Sequence, residues 1–108
     1  MILSTIRMAI FPKKRPEALK ILKMTAQYCR LQPGCLSCDI YEDLQDENIL
    51  LFRQVWRSKA DLDQHLRSDE YRNVLLVMEM AEKEPEIRFD TVSDSSGIET
   101  VEAARRCQ

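Results

Sequence analysis

Residues 48–57, NILLFRQVWR, constrain the fold more than any other stretch of the chain. From Ile49 to Trp56 the apolar side chains fall on both alternating sides, and β-branched and aromatic residues favour an extended backbone. A strand of this kind needs cover on both faces. Just upstream, CLSCDIYED alternates in part, and the polar turn LQDEN separates the two segments. The pair predicts an antiparallel hairpin.

The flanking segments supply the other elements. ILSTIRMAIF, residues 2–11, is rich in β-formers and stops at Pro12, which predicts a first strand. Pro16 suits a first helical turn, and Ala18, Leu22, Ala26 and Cys29 then share one stripe, with Leu19 and Ile21 beside it, up to Pro33 and Gly34. After the hairpin, Ser58-Lys59-Ala60-Asp61 resembles a capping box and opens a short helix through Leu66. Ser68, followed by Asp69 and Glu70, caps a second helix over EYRNVLLVMEMAEK, whose apolar surface exceeds one face. Pro85 leads into a last strand, EIRFDTVSD, and GIETVEAARR reads as a terminal helix.

Strand, helix, strand, strand, helix, strand is the split βαβ, or ferredoxin-like, order of an α+β fold with an antiparallel sheet. Helices cover one sheet face in such a fold. The first strand nevertheless turns Ile2, Ile6, Met8 and Ile10 one way and Leu3, Ala9 and Phe11 the other. A chain of 108 residues has too little material to cover the second face, so a two-fold homodimer is expected. Residues 1–94 form the expected domain, and 95–108 a helical tail.

A formal charge of -2 leaves no basic face for a nucleic-acid backbone, and Lys13, Lys14 and Arg15 read as a solvated turn. Neither a membrane span nor a signal peptide is evident, so a cytoplasmic protein with reduced thiols is expected. Cys35 and Cys38 stand in C-x-x-C spacing. Residues three apart on a strand point to opposite faces, so the two are expected to diverge and to form neither a redox nor a metal site. Cys29 belongs to the helical core stripe and Cys107 to the tail.

With only Gly34 and Gly97, the chain has no glycine-rich phosphate loop, and it has neither a nucleophile elbow nor H-E-x-x-H. The sole histidine, His65, follows Asp61 by one helical turn, where a carboxylate could orient or charge it for acid–base work. Trp56 ends the strongest strand, and Tyr71 opens the later helix.

Taken together, PGCLSCDIYED, the strand ending in VWRS, LDQHLRSDEY and PEIRFDTV resemble the antibiotic biosynthesis monooxygenase domain over residues 2–93. The matching positions are Gly34, Trp56, Ser58, His65, Ser68 and Tyr71. The resemblance implies a dimeric α+β barrel and a cofactor-independent monooxygenase, using no flavin, haem or metal, that acts with dioxygen on quinols or polycyclic aromatics. A deprotonated dihydroxyaromatic can itself pass an electron to dioxygen, so the protein need only bind it, take a proton and steady the anion. On this reading Trp56 is a wall of the pocket, His65 a base or anion-stabilising donor, and Tyr71 a hydrogen-bonding partner. Arg7 or Arg53 could supply positive charge.

Three alternatives share the fold. Haem-degrading relatives would place their iron-binding histidine near Leu75, a pocket tryptophan near His65 and an asparagine near Ile6, and this chain departs at all three. Isomerase activity is a second. A binding dimer without catalysis is the third, and Gln54, standing where the family often has an acid, bears on it.

Overall fold

The computed structural model describes residues 1–106; Cys107 lies outside the described residues. Its elements are β1 (Ile2–Ala9), α1 (Arg15–Arg30), β2 (Cys35–Glu42), β3 (Ile49–Trp56), α2 (Lys59–Arg67), α3 (Tyr71–Met78), β4 (Glu86–Thr91) and α4 (Ile98–Arg106). A single 3-10 turn, Pro12–Lys14, leads into α1. The four strands form one antiparallel sheet in the order β2-β3-β1-β4, which gives the α+β ferredoxin-like arrangement. Among the described residues no helix is long and apolar enough to cross a membrane.

Alternation along β1 and β3 decides which side chains meet the helices. Ile2, Ser4, Ile6 and Met8, with Leu50, Phe52, Gln54 and Trp56, are buried on the helical side. There they pack with Ala18, Leu22, Ala26, Cys29, Val74 and Val77. Each fully buried large apolar side chain contributes roughly 1.5–3 kcal/mol, so this layer is the main stabilising element.

The opposite sheet face carries half-exposed Leu3, Leu51 and Val55 together with Arg7 and Arg53. A hollow of about 330 Å³ opens there, lined in part by Leu3, Leu36, Arg53 and Val55.

Two local departures from the sequence expectations have physical causes. The expected helix over residues 70–83 ends at Met78 because the chain turns to complete the end of β1. The Phe11 amide donates to the Met80 carbonyl at 3.0 Å, and the Glu82 amide to the Ala9 carbonyl at 2.8 Å. Long-range backbone pairing outweighs helix propensity there.

The second departure is a β-bulge. Cys35 pairs with Trp56 and Ser37 with Val55, so Leu36 is an inserted residue that breaks the alternation. Cys38 then pairs with Gln54. Both Cys35 and Cys38 therefore face the helices, and the expectation that they diverge is corrected.

Candidate functional site

The helical side of the sheet holds a polar cluster where β3 ends. Strand alternation brings Gln54 and Trp56 to this side, and α2 lays His65 across them. The Ser58 side chain caps α2 by accepting from the Asp61 amide at 3.2 Å, which fixes the start of the helix and hence the position of His65. The imidazole stacks on Trp56 at 4.7 Å between ring centroids, with an interplanar angle of 28°. Tyr71, at the start of α3, meets the same imidazole edge-on at 5.3 Å.

A pocket of about 170 Å³ opens over this stack, lined by Trp56, His65, Ser68, Asp61, Gln64, Gln32 and Pro33, with Tyr28. Trp56 and His65 are buried at 1% and 4% exposure and form the pocket floor beneath a polar rim of Gln32, Asp61, Gln64 and Ser68. Tyr71 touches His65 but is not among the lining residues.

Gln54 connects the buried groups. Its Nε2 lies 3.2 Å from His65 Nε2, 3.5 Å from the Cys29 sulfur and 3.7 Å from the Cys38 sulfur. The Trp56 indole N–H donates to Gln54 Oε1 at 3.5 Å. An indole nitrogen can only donate, so the amide oxygen faces Trp56 and the amide NH2 faces His65. His65 Nε2 must then accept, which leaves the imidazole proton on Nδ1. Burial holds the His65 pKa down at about 4, so the ring is neutral near pH 7.

Asp61 does not charge His65. Its carboxylate accepts instead from Ser58 Oγ at 2.9 Å and from the Arg57 guanidinium at 3.0 Å. The carboxylate sits against Gly34, where an added Cβ would lie 2.3 Å from Asp61 Cγ, and Gly34 adopts a φ of +82°. Both the close approach and the left-handed backbone require glycine at this position.

Arg7 and Arg53 occupy the other side of the sheet. Arg7 pairs with Glu86 at 3.7 Å and Arg53 borders the open-face hollow, so neither reaches this pocket. Sequence reasoning missed Tyr28, Gln32 and Gln64 as lining residues, and treated Gln54 only as a departure from an acid. Gln54 carried one available signal: it is a polar residue at a position that strand alternation turns toward the core. Among the described residues no group of three or more His, Cys, Asp or Glu side chains is arranged to hold a metal ion.

Comparison with known proteins adds the family. Residues 1–75 match the sequence model described as antibiotic biosynthesis monooxygenase. An uncharacterized protein of Synechocystis sp., sll1783, is 33% identical over 76 residues, covering 70% of this chain and 48% of that protein. The chain thus spans about half the length of this curated relative. The crystal structure of a conserved protein from Methanosarcina mazei Go1 superposes with a TM-score of 0.78 at 28% identity, covering 82% of this chain and 89% of that one. A crystal structure described as an antibiotic biosynthesis monooxygenase gives a TM-score of 0.79 at 21% identity, with 87% and 100% covered, a likeness that shows the fold. The matched segment contains Gly34, Trp56, Ser58, His65, Ser68 and Tyr71, and the chain belongs to the antibiotic biosynthesis monooxygenase family.

Proposed function

We propose that this protein is a cofactor-independent monooxygenase that binds a small quinol over the Trp56–His65 stack and lets the bound quinolate reduce dioxygen. The observation that carries the reading is a neutral, buried imidazole with a fixed donor, stacked on a tryptophan at the floor of a pocket with a polar rim. Trp56 is the wall against which the aromatic ring lies. The Nδ1–H of His65 is assigned as donor to the developing quinolate oxygen, exchanging its 3.9 Å contact with the Cys29 sulfur for the ligand. Because Gln54 occupies Nε2, His65 serves as donor rather than base. Asp61, the one carboxylate among the lining residues, is the candidate proton acceptor. Tyr71 keeps the imidazole in place through its edge contact.

Size narrows the substrate. A cavity of roughly 150 Å³ accommodates a single benzene ring. The volume here, about 170 Å³, favours a one-ring quinol, or the edge of a bicyclic one, over the polycyclic substrates also expected from the resemblance.

We also infer that residues 1–94 work as a homodimer through the open sheet face, with the segment from 95 onward as a separate tail. Half-exposed Leu3, Leu51 and Val55 support this reading, as does the absence of any buried residue in α4.

The test is oxygen uptake by metal-free protein with benzoquinols, naphthoquinols and anthrones, alongside Trp56→Ala, His65→Ala and Asp61→Asn. Saturable uptake above autoxidation that is lost in the variants supports the reading. Tight binding without uptake replaces it with a non-catalytic small-molecule-binding dimer.

A further inference from the structure

Cys29 on α1 and Cys38 on β2 belong to the same core cluster between the helical layer and the sheet, at 0% and 1% exposure. Both sulfurs approach the amide nitrogen of the same residue, Gln54, at 3.5 and 3.7 Å. The Cys29 sulfur also lies 3.9 Å from each ring nitrogen of His65, behind the pocket wall. Cys35 shares this face but is turned aside, its thiol donating to the Ser37 carbonyl at 3.5 Å.

We propose that Cys29 and Cys38 are a redox-active thiol pair that a hydroperoxide converts into an intramolecular disulfide directly behind His65.

Gln54 Nε2 donates to His65 Nε2, and it also approaches the two sulfurs, each of which as a thiol is a weak acceptor. A thiolate is a strong one. The Cys29 thiol and the Gln54 amide hold Cys38 below the ordinary thiol value, with the Arg30 guanidinium helping from nearby. The same pairing, together with burial, pushes Cys29 up. Burial likewise raises Cys35, to about 11. Arg30 Nε donates to the Cys38 carbonyl at 2.9 Å, which puts a cation beside Cys38, so we assign Cys38 as the nucleophile and Cys29 as the resolving thiol.

The Cys38 thiolate attacks the hydroperoxide; an S–O bond forms, the O–O bond breaks, and the departing alkoxide takes the proton lost by Cys38 and leaves as an alcohol. Cys29 gives up its proton and attacks the resulting sulfenic sulfur; the S–S bond forms and hydroxide leaves with that proton as water. Two thiols are oxidised by two electrons and one hydroperoxide is reduced to an alcohol and water. The bond closes the loop that carries Gln32 and Pro33 on the pocket rim, so oxidation reshapes the rim and removes both sulfurs as free thiols beside Gln54.

The experiment needs no substrate and is independent of the proposed oxygenation. Reduced full-length protein is treated with hydrogen peroxide, quenched with a thiol alkylator under denaturing conditions, and read by intact mass and peptide mapping. The run is repeated in Cys107→Ser, which eliminates bridges through the tail, and in Cys35→Ser. The expected result in all three proteins is loss of two hydrogens per chain, a linked peptide joining Cys29 to Cys38, and full reversal by dithiothreitol. Full alkylation of both thiols, a bridge through Cys35, or irreversible oxygen addition would each overturn the proposal.

Discussion

Gln54 Nε2 stands 3.2 Å from His65 Nε2 in a buried network whose far end is the Trp56 indole N–H. The indole orients the amide, and the amide sets the imidazole tautomer. His65 is the sole histidine in the chain, so its ring nitrogens give one unambiguous pair of 15N resonances. At neutral pH these are expected to show a neutral ring protonated at Nδ1. Gln54→Leu withdraws the donor at Nε2, and the population should move toward the Nε2–H form. An Nε2–H spectrum in the unsubstituted protein would refute the assignment.

The depressed His65 pKa also fixes the sign of a pH effect on stability. The folded value is about 4, lowered by burial from the ordinary imidazole value of 6.5. The unfolded chain therefore takes up a proton at this site before the folded chain does. The stabilisation is fully present above the unfolded value and is lost as pH falls toward the folded one. At about 1.4 kcal/mol per pKa unit, the full effect is on the order of 3 kcal/mol. Urea midpoints measured across that window should fall more steeply for the unsubstituted protein than for His65→Phe. Parallel slopes would mean that the ring is not held neutral by burial.

Gly34 tests how the pocket rim is built. Its φ of +82° disfavours any side chain, and an added Cβ would meet the Asp61 carboxyl group, which Ser58 and Arg57 hold in place. Gly34→Ala is expected to cost about 1–3 kcal/mol in denaturant unfolding. Adding Asp61→Ala to that background removes the two shortest contacts, those with the carboxyl group, but leaves the Asp61 Cβ position at 2.7 Å and the backbone strain. The double variant should therefore recover part of the loss, with a coupling outside additivity. Strict additivity would show that the two positions do not press on each other.

Element order was legible because it rests on periodicity: the two-sided apolar run from Ile49 to Trp56 and the Ala18, Leu22, Ala26, Cys29 stripe each admit one regular structure. The Trp56, His65 and Ser68 part of the site was legible through the family pattern. Leu36 was not, since a single inserted residue in a strand changes no composition or spacing rule, yet it reverses the face of Cys35 relative to Cys38. The end of α3 was hidden for a related reason: Met80 and Ala81 are good helix formers, and only their pairing with Phe11 and Ile10 draws them away. Arg7 and Arg53 could be given a face only once the register was known.

Trp56→Phe separates the two roles of the tryptophan. A phenyl ring preserves an aromatic surface against His65 but has no N–H to hold Gln54 Oε1. The lost hydrogen bond and volume should cost about 1–2 kcal/mol, leaving a folded protein. With its oxygen released, the Gln54 amide can turn and present that oxygen to His65, which then favours a proton on Nε2. The expected result is a mixed His65 tautomer, detected by 15N resonances, although the substituted ring lies on the face of the imidazole rather than at Nε2. Tyr71→Phe keeps the edge contact and takes no partner from Gln54, so it should retain the Nδ1–H form. If Trp56→Phe also retains it, the indole acts by packing alone, and the sulfur contacts of Gln54 are what hold the amide in place.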